Sequence, residues 1–269
     1  MNTSAPAKIE PRLKPPQFRS IRTIIALMLR EMGATYGASP GGYIWAIVQP
    51  VGMLVVLSIG FSLLVRSPSL GTSFFLFYAT GYLPFQFYND IASKVAFSLR
   101  YARALLAYPS VTWVDAVLAR FILNVLTQGI VFGIVISGIF IVTDPRTILD
   151  LIPIISGISL ACLLGFGVGL MNATLGGLFP IWNNFWQIVS RPLFLASGIF
   201  FIYEDLPSTV QNILWWNPVM HVTGLVRTGF YPTYQASYVS LSYGFGVALV
   251  MIALGLVLMR ANYTKVLER

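Results

Sequence analysis

Two long stretches without a charged residue constrain the fold of this chain more than any other feature. One runs from Phe121 to Val142 and the other from Leu151 to Trp186. A helix needs about 20 apolar residues to cross the hydrocarbon core of a bilayer. The composition agrees, since 57% of the residues are hydrophobic and 10% are charged, against about 25% charged in soluble domains. The sequence therefore predicts an all-α integral membrane protein.

The apolar pattern predicts six transmembrane helices within a membrane domain that covers residues 43–259. The spans are expected at 43–65, 72–95, 114–142, 151–178, 184–202 and 238–259. Residues 1–20 are basic and proline-rich, which indicates a disordered tail, and residues 260–269 are expected to form a second tail. Residues 21–38 combine apolar and charged positions, which indicates an amphipathic helix lying in the membrane interface.

The distribution of Lys and Arg predicts the orientation of these spans. With the N-terminus in the cytoplasm, 14 basic residues lie on the inner side and three, Arg66, Arg146 and Arg227, on the outer side. An excess of Lys and Arg marks the cytoplasmic side of bacterial membrane proteins. We therefore expect a protein of the inner membrane with both termini in the cytoplasm. The net charge of +8 is explained by topology, and no nucleic-acid partner is expected.

Two connections between the predicted spans are too distinctive to be simple turns. The inner segment 96–113 is basic and contains a Leu-Leu pair, so it is expected to form a short helix that stands off the membrane. The outer segment 203–237 is rich in Trp, Leu and Val. We expect two short gate helices there that dip into the outer leaflet and are separated at Asn217-Pro218.

Several kinds of chemistry find no support in the sequence. The chain has no G-x-x-x-x-G-K-[ST] loop that could hold a nucleotide triphosphate, so ATP and Mg²⁺ would have to bind elsewhere. A single His221 and a single Cys162 argue against a metal centre. Gradient-driven carriers usually bury several ionisable groups at mid-membrane depth, and the predicted spans are nearly free of them. An external motor is therefore favoured over a carrier or a membrane enzyme.

Three stretches resemble the ABC-2-type export permeases, and among them the KpsM-type permeases of capsular polysaccharide exporters. The first, 29–50, reads LREMGATYGASPGGYIWAIVQP and is similar to the interfacial helix and first span of that family. The second, 81–88, reads GYLPFQFY and is similar to part of the second span. The third, 214–227, reads LWWNPVMHVTGLVR and is similar to the segment before the last span. The resemblance covers residues 29–260.

The resemblance implies a homodimer that forms a channel, with two ATPase subunits that bind ATP and Mg²⁺ and no cofactor in this chain. The cargo would be a lipid-linked capsular polysaccharide, handed to periplasmic co-polymerase-type and outer-membrane export proteins. It also implies a coupling helix in the inner segment, with candidate residues Arg100, Arg103, Leu105, Leu106, Tyr108 and Pro109. The outer gate would contain Trp215, Trp216, Asn217, Pro218 and His221. An ABC-2 permease for another cargo, such as O-antigen, teichoic acid or a drug, shares the fold and stays open.

Aromatic and basic side chains supply the candidate substrate contacts. Phe74, Tyr78, Tyr82 and Phe85 recur at spacings of 4, 4 and 3 on one helical face, and Trp182 and Trp186 are also four apart. Sugar C–H surfaces stack on aromatic rings, so these residues are candidate channel linings, with interface belts and core packing as the alternative. Lys94, Arg120 and Arg191 at the inner mouth are candidate contacts for a lipid phosphate or an acidic sugar, with the positive-inside rule as the alternative.

Other charged residues and glycines are expected to have structural roles. Asp90 and Asp115 would pair with Lys94 and Arg120. Glu204 and Asp205 would cap the first outer helix, and His221 would be a hydrogen-bonded structural residue beside Asn217-Pro218. Two G-x-x-x-G pairs predict close helix packing: Gly129 with Gly133, and Gly165 with Gly169.

Overall fold

The computed structural model describes residues 19–36, 41–42, 44–108, 111–143 and 148–268, and every regular element in these ranges is helical. The described helices are α1 Arg19–Tyr36, α2 Ile44–Ser62, α3 Phe74–Ala96, α4 Ser98–Leu106, α5 Trp113–Thr143, α6 Leu151–Leu178, α7 Ile181–Leu195, α8 Ser208–Leu214, α9 Pro218–Phe230 and α10 Leu241–Glu268. A short 3₁₀ turn, Tyr203–Asp205, precedes α8. Most of the predicted tail 1–20 lies outside the described residues, although Arg19 and Ser20 already belong to α1.

Four of the described helices are long and apolar enough to cross a membrane: α2, α5, α6 and α10. The prediction of membrane helices is therefore confirmed, and the count of six spans stays a prediction. Helix α3 has 23 residues but carries many polar ones, and most of its side chains are buried against neighbouring helices. Helix α7 has 15 residues, which gives about 22 Å at 1.5 Å per residue.

The fifth predicted span, 184–202, is wrong in extent because α7 ends at Leu195. Pro192 lies in its last turn, and Gly198 adopts φ +72°, a left-handed conformation that glycine adopts readily. The unwound carbonyls that follow find partners on α9. Asn217 Nδ2 donates to Ala196 O at 2.9 Å, and Thr223 Oγ1 donates to Ser197 O at 2.8 Å. Side chains of α9 thus satisfy backbone groups that a continuous helix would satisfy itself.

The segment predicted as a C-terminal tail is instead the end of α10, which continues as helix to Glu268. Val266 packs against Gly177 at the end of α6, where an added Cβ would lie 2.5 Å from Val266 Cγ1. This contact gives the last turns of α10 a surface to pack on, and so they are helical although they are largely polar.

Helix α6 lies at the centre of the bundle, and its glycines let α3 and α10 approach closely. Gly165 and Gly169 face α3, where added Cβ atoms would lie 2.7 Å from Tyr88 O and 2.6 Å from Val95 Cβ. On the α10 side, a Cβ at Gly167 would lie 2.8 Å from Met251 Cβ and 2.9 Å from Ile252 N. The predicted packing role of Gly165 and Gly169 is confirmed.

The other predicted glycine pair, on α5, does not mediate close packing in the described part of the chain. Added Cβ atoms at Gly129 and Gly133 would meet nothing within 4 Å. Within a single copy the predicted packing is therefore absent from the described residues, and packing of this face of α5 against another chain stays a prediction.

Helix α9 is short but deeply embedded, since ten of its 13 residues are buried, which excludes a solvated loop. It packs against the first half of α6: a Cβ at Gly157 would lie 2.7 Å from Val226 Cγ2. Phe230 contacts Phe132 and Phe140 of α5, with ring centroids 6.4 and 6.2 Å apart.

Replacing Gly167 by Ala should destabilise the bundle by about 1–3 kcal/mol, because the new methyl group meets the backbone of α10. The matched control is Gly246→Ala on α10, where a Cβ meets nothing within 4 Å and helix propensity improves by up to about 1 kcal/mol. Thermal unfolding of the two purified variants in detergent measures the change in stability of each. Equal melting temperatures for the two variants would contradict the packing described for α6.

Candidate functional site

Different helices lie at the two ends of the bundle. One, called here the α4 end, holds α1, α4, the start of α5 and α7, and the last turns of α3, α6 and α10. The other, the α9 end, holds the 3₁₀ turn, α8, α9 and the start of α10. This division follows from the contacts of the described residues, such as Arg120 with Glu31 and His221 with Ser240.

A buried arginine at the α4 end joins four helices. Arg120 of α5 forms a two-point ion pair with Glu31 of α1, with Nη2–Oε1 at 2.6 Å and Nε–Oε2 at 2.8 Å. Its Nη1 donates to the carbonyl oxygen of Lys94 on α3 at 3.1 Å. The guanidinium carbon lies 3.9 Å from the ring centroid of Tyr101 on α4. We call these four residues the Arg120 cluster.

The energetics of the cluster depend on its burial. The side chains of Arg120 and Glu31 are 5% and 17% exposed, and this is the one ion pair within 4.0 Å among the described residues. Planar guanidinium groups suit such two-point contacts with a carboxylate. Removing one partner from a buried pair leaves an uncompensated charge, so the position of α1 depends on this contact.

A cavity of about 320 Å³ lies beside the Arg120 cluster, between α1, α3, α4 and α5. Two of the predicted phosphate contacts, Lys94 and Arg120, line it together with Arg30. Ser98 also lines it, and its buried hydroxyl has no hydrogen-bond partner among the described residues. The third predicted contact, Arg191, is exposed on α7 and does not line this cavity.

The predicted coupling segment contains α4, which follows α3 after the single residue Phe97. Ser98, Leu99 and Ala102 are buried, whereas Arg100 and Arg103 are exposed, which gives the helix one packed and one open face. Leu105 and Leu106 are half-buried, Tyr108 is exposed just after the helix, and Pro109 lies outside the described residues.

The predicted carboxylate pairs are wrong. Within the described chain Asp90 forms no ion pair with Lys94; it accepts hydrogen bonds from Gln86 Nε2, at 3.4 Å, and from Gln128 Nε2. Asp115 does not pair with Arg120, because it closes the first turn of α5. Thr112 N donates to Asp115 Oδ2 at 3.0 Å, and Asp115 N donates to Thr112 Oγ1 at 3.2 Å, which is a capping box.

The four aromatic residues predicted on α3 lie on one face, and other aromatic rings of the same chain cover three of them. Tyr78 contacts Phe61 of α2, and also Phe200 after α7, with centroids 5.3 and 6.5 Å apart. Tyr82 and Phe85 both pack on Phe194 of α7, at 6.4 and 5.2 Å. Phe74 stacks on Tyr78 at 6.4 Å. These four residues are called here the α3 stripe, and in this conformation α2, α7 and the segment that follows α7 cover it.

Trp182 and Trp186 lie at the start of α7, away from the α3 stripe. The indole of Trp182 donates to Asn172 Oδ1 at 2.9 Å, and Trp186 is half-buried. None of the residues of α7 is buried. Its polar side chains Asn184, Gln187 and Arg191 recur at spacings of three and four, so they share one face that the described chain leaves open.

The predicted outer-gate residues form one connected turn between α8 and α9. Asn217 caps α9, since its Oδ1 accepts from Val219 N at 3.0 Å, and Pro218 occupies the first helical position. Trp215 Nε1 donates to Tyr238 O at 3.0 Å, and its ring stacks on Tyr243 at 4.8 Å. Trp216 is exposed and meets Trp215 edge-on.

His221 is hydrogen-bonded at both ring nitrogens, as its sequence position indicated. Nδ1 accepts from Ser240 N at 3.2 Å, so Nε2 carries the proton that it donates to Trp215 O at 2.8 Å. Burial lowers the pKa of His221 below that of a free imidazole, although the hydrogen bond to Trp215 opposes this shift. A neutral ring therefore ties α9 to the start of α10.

The predicted caps on α8 are absent from the described structure. Pro207 precedes α8, whose first turn has no side-chain cap, and Glu204 instead accepts from the hydroxyl of Tyr234 at 2.9 Å.

Arg227 was predicted as a charge of an outer connection, but its side chain is completely buried. Its Nη1 donates to Phe201 O at 2.7 Å and its Nη2 to Ile199 O at 3.1 Å, and the guanidinium lies 4.3 Å from the ring centroid of Phe77. Gly81 leaves room for it, since a Cβ there would lie 3.0 Å from Nη2. Arg227 thus anchors α9 to α3 and to the unwound segment after α7.

Glu31→Gln or Arg120→Gln should release α1 from the bundle, at a cost of about 2–4 kcal/mol for the lost buried pair. An isolated helix of 18 residues is marginal in water, so the backbone amides of α1 should exchange hydrogen faster. Arg22→Gln on the same helix is the control, because Arg22 is exposed. The double variant Glu31→Arg, Arg120→Glu should recover protection, and unchanged exchange in both single variants would contradict the role of the pair.

The comparisons with known proteins agree with this architecture. The model of the ABC-2 type transporter family matches residues 22–231. The polysialic acid transport protein KpsM of Escherichia coli is 29% identical over 89% of this chain and 93% of its own length. The capsule polysaccharide export inner-membrane proteins BexB of Haemophilus influenzae and CtrC of Neisseria meningitidis are 26% and 24% identical, each over 92% of this chain and 93% of their own length. This chain belongs to the ABC-2 type transporter family.

Proposed function

We propose that this chain is the transmembrane subunit of an ATP-driven exporter that moves lipid-linked capsular polysaccharide across the bacterial inner membrane. Two copies would form the channel, and two separate ATPase subunits would bind ATP and Mg²⁺. The α4 end would face the cytoplasm, as would both termini, and the polymer would pass to periplasmic co-polymerase-type and outer-membrane export proteins. The relatives named for polysaccharide export support the cargo class.

The observation that carries the proposal is the Arg120 cluster. It connects α4, which exposes Arg100 and Arg103, with the amphipathic helix α1 through the Tyr101 ring and the Glu31 carboxylate. A partner that moves α4 would therefore also act on α1. Because the sequence contains no nucleotide-binding loop, such a partner is the source of energy that the chain needs.

The open face of α7 supports assembly with a second copy. Amide side chains in a bilayer favour a polar partner or water over lipid, and Asn184 and Gln187 are exposed in the single chain. A channel between two copies would supply such an environment for α7. The aromatic stripe of α3 lies directly behind α7, because Tyr82 and Phe85 contact Phe194, so movement of α7 would expose it to the channel.

The cavity beside the Arg120 cluster supports an acidic cargo or a phosphate-bearing lipid anchor. Arg30, Lys94 and Arg120 contribute three positive charges and Glu31 one negative charge, which leaves a net charge of +2. Lys94 and Arg30 are the cations in this cavity left for the phosphate, because Arg120 is already paired with Glu31. Arg191 on the open face of α7 is proposed as a separate contact along the channel.

Deletion of the gene in its native host should abolish surface capsule and leave the lipid-linked polymer inside the cell. Immunoblotting of surface and total polysaccharide measures both, and a plasmid copy restores export. If capsule stays normal while another surface polymer is lost, the cargo assigned here is wrong.

Tyr82→Ala should reduce capsule export by about fivefold without abolishing assembly of the permease, because the polymer loses a stacking surface worth about 1 kcal/mol. Tyr82 is buried against Phe194, so export is compared at equal membrane level of each variant. Tyr82→Phe keeps the ring and removes only the hydroxyl, so it should export at the wild-type level. Full export in Tyr82→Ala would exclude this face of α3 from the channel.

A further inference from the structure

A second cavity at the α4 end lies on the side of α4 that faces away from α1. It has a volume of about 370 Å³. Helix α4 contributes Arg100 and Arg103, the last turns of α6 and the start of α7 contribute Asn172 and Asn183, and the end of α10 contributes Val266 and Leu267. We call this cavity the C-terminal socket.

The charges of the socket fit a carboxylate. Arg100 and Arg103 are both exposed, and neither forms an ion pair within 4.0 Å in the described ranges. Asn172 and Asn183 add neutral amide groups, and none of the described residues that line the cavity is acidic. Charge-assisted hydrogen bonds from guanidinium groups to a carboxylate are among the stronger polar contacts in proteins.

The walls of the socket are held in place by close contacts. Val266 packs on Gly177, where a Cβ would lie 2.5 Å away. Trp182 holds the α6–α7 turn through its hydrogen bond to Asn172. A partner that enters the socket therefore contacts α4 and α10 at the same time.

The length of α10 places the socket near or beyond the membrane surface. Its 28 residues measure about 42 Å, about 12 Å more than the hydrocarbon core. Lys265 is exposed in the last turn. A protein that docks on the exposed face of α4 would reach this position, which favours a protein partner over the acyl chain of a lipid.

We propose that the C-terminal socket receives an acidic side chain of the ATPase subunit, so that the last two turns of α10 form a second docking element beside α4. The inference rests on the proposed function, because it requires an ATPase on the α4 end. The contact at α10 would be additional to the contact that α4, the proposed coupling helix, makes with the ATPase. Movement of the ATPase would then act on α6 through α10, as well as on α1 through the Arg120 cluster.

Site-specific photocrosslinking in the intact exporter complex tests the proposal. A photoreactive residue is placed at Arg103 on α4, at Lys265 on α10 and, as a control on the α9 side, at Arg66. Adducts with the ATPase from both Arg103 and Lys265, and none from Arg66, are expected. Adducts from Arg103 alone, or lipid adducts alone from Lys265, would overturn the role of α10 and leave the proposed function standing. The absence of ATPase adducts at both positions would reject docking on α4 as well.

A packing variant provides a second measurement. Gly177→Val should displace Val266 and lower the amount of ATPase that co-purifies by about fivefold, at an unchanged membrane level of the permease. Gly246→Val on α10, the helix that carries Val266, is the control, since a Cβ there meets nothing within 4 Å, and it should retain the ATPase. Full retention of the ATPase by Gly177→Val would contradict the proposal.

Discussion

The close approach of α3 and α10 to α6 is the constraint on which the rest of the structure depends. Helices in a bilayer gain little from burying apolar side chains, because lipid is also apolar, so packing relies on small residues. Glycines at 165, 167, 169 and 177 of α6 supply the necessary space. The resulting core is rigid, and α9 is fixed to it through Gly157. The Arg120 cluster at one end and helix α9 at the other end pack on this core.

The two ends use arginine in different ways. Arg227 is fully buried and bonds to the carbonyl oxygens of Ile199 and Phe201 in the segment 196–202, so it fixes backbone groups that lie beyond the end of α7. Arg120 pairs with a carboxylate on a helix at the edge of the bundle. The first contact holds the α9 end as a single unit, whereas the second joins separate helices at the α4 end.

The apolar pattern predicted much of the fold but not the contacts that define the site. Helix α6 was predicted at its observed bounds, because it is a long apolar run that ends at Phe179-Pro180. Helix α7 was drawn too long because the apolar residues 196–202 continue the pattern, and their partners on α9 are visible only in three dimensions. The helical end of α10 depends on the contact of Val266 with Gly177. Glu31 is the one acidic residue of α1, which could have suggested an ion pair there. Its partner Arg120 lies 89 residues further along the chain, and no local sequence pattern identifies it.

The central claim is that this chain is the membrane subunit of an exporter whose energy comes from a separate ATPase. Affinity purification of the chain from its native host in mild detergent, followed by mass spectrometry of the intact complex, tests it most directly. The account predicts a complex with two copies of this chain and two copies of an ATPase that contains a nucleotide-binding loop. Recovery of the chain alone, at every detergent concentration that keeps it folded, would contradict the account.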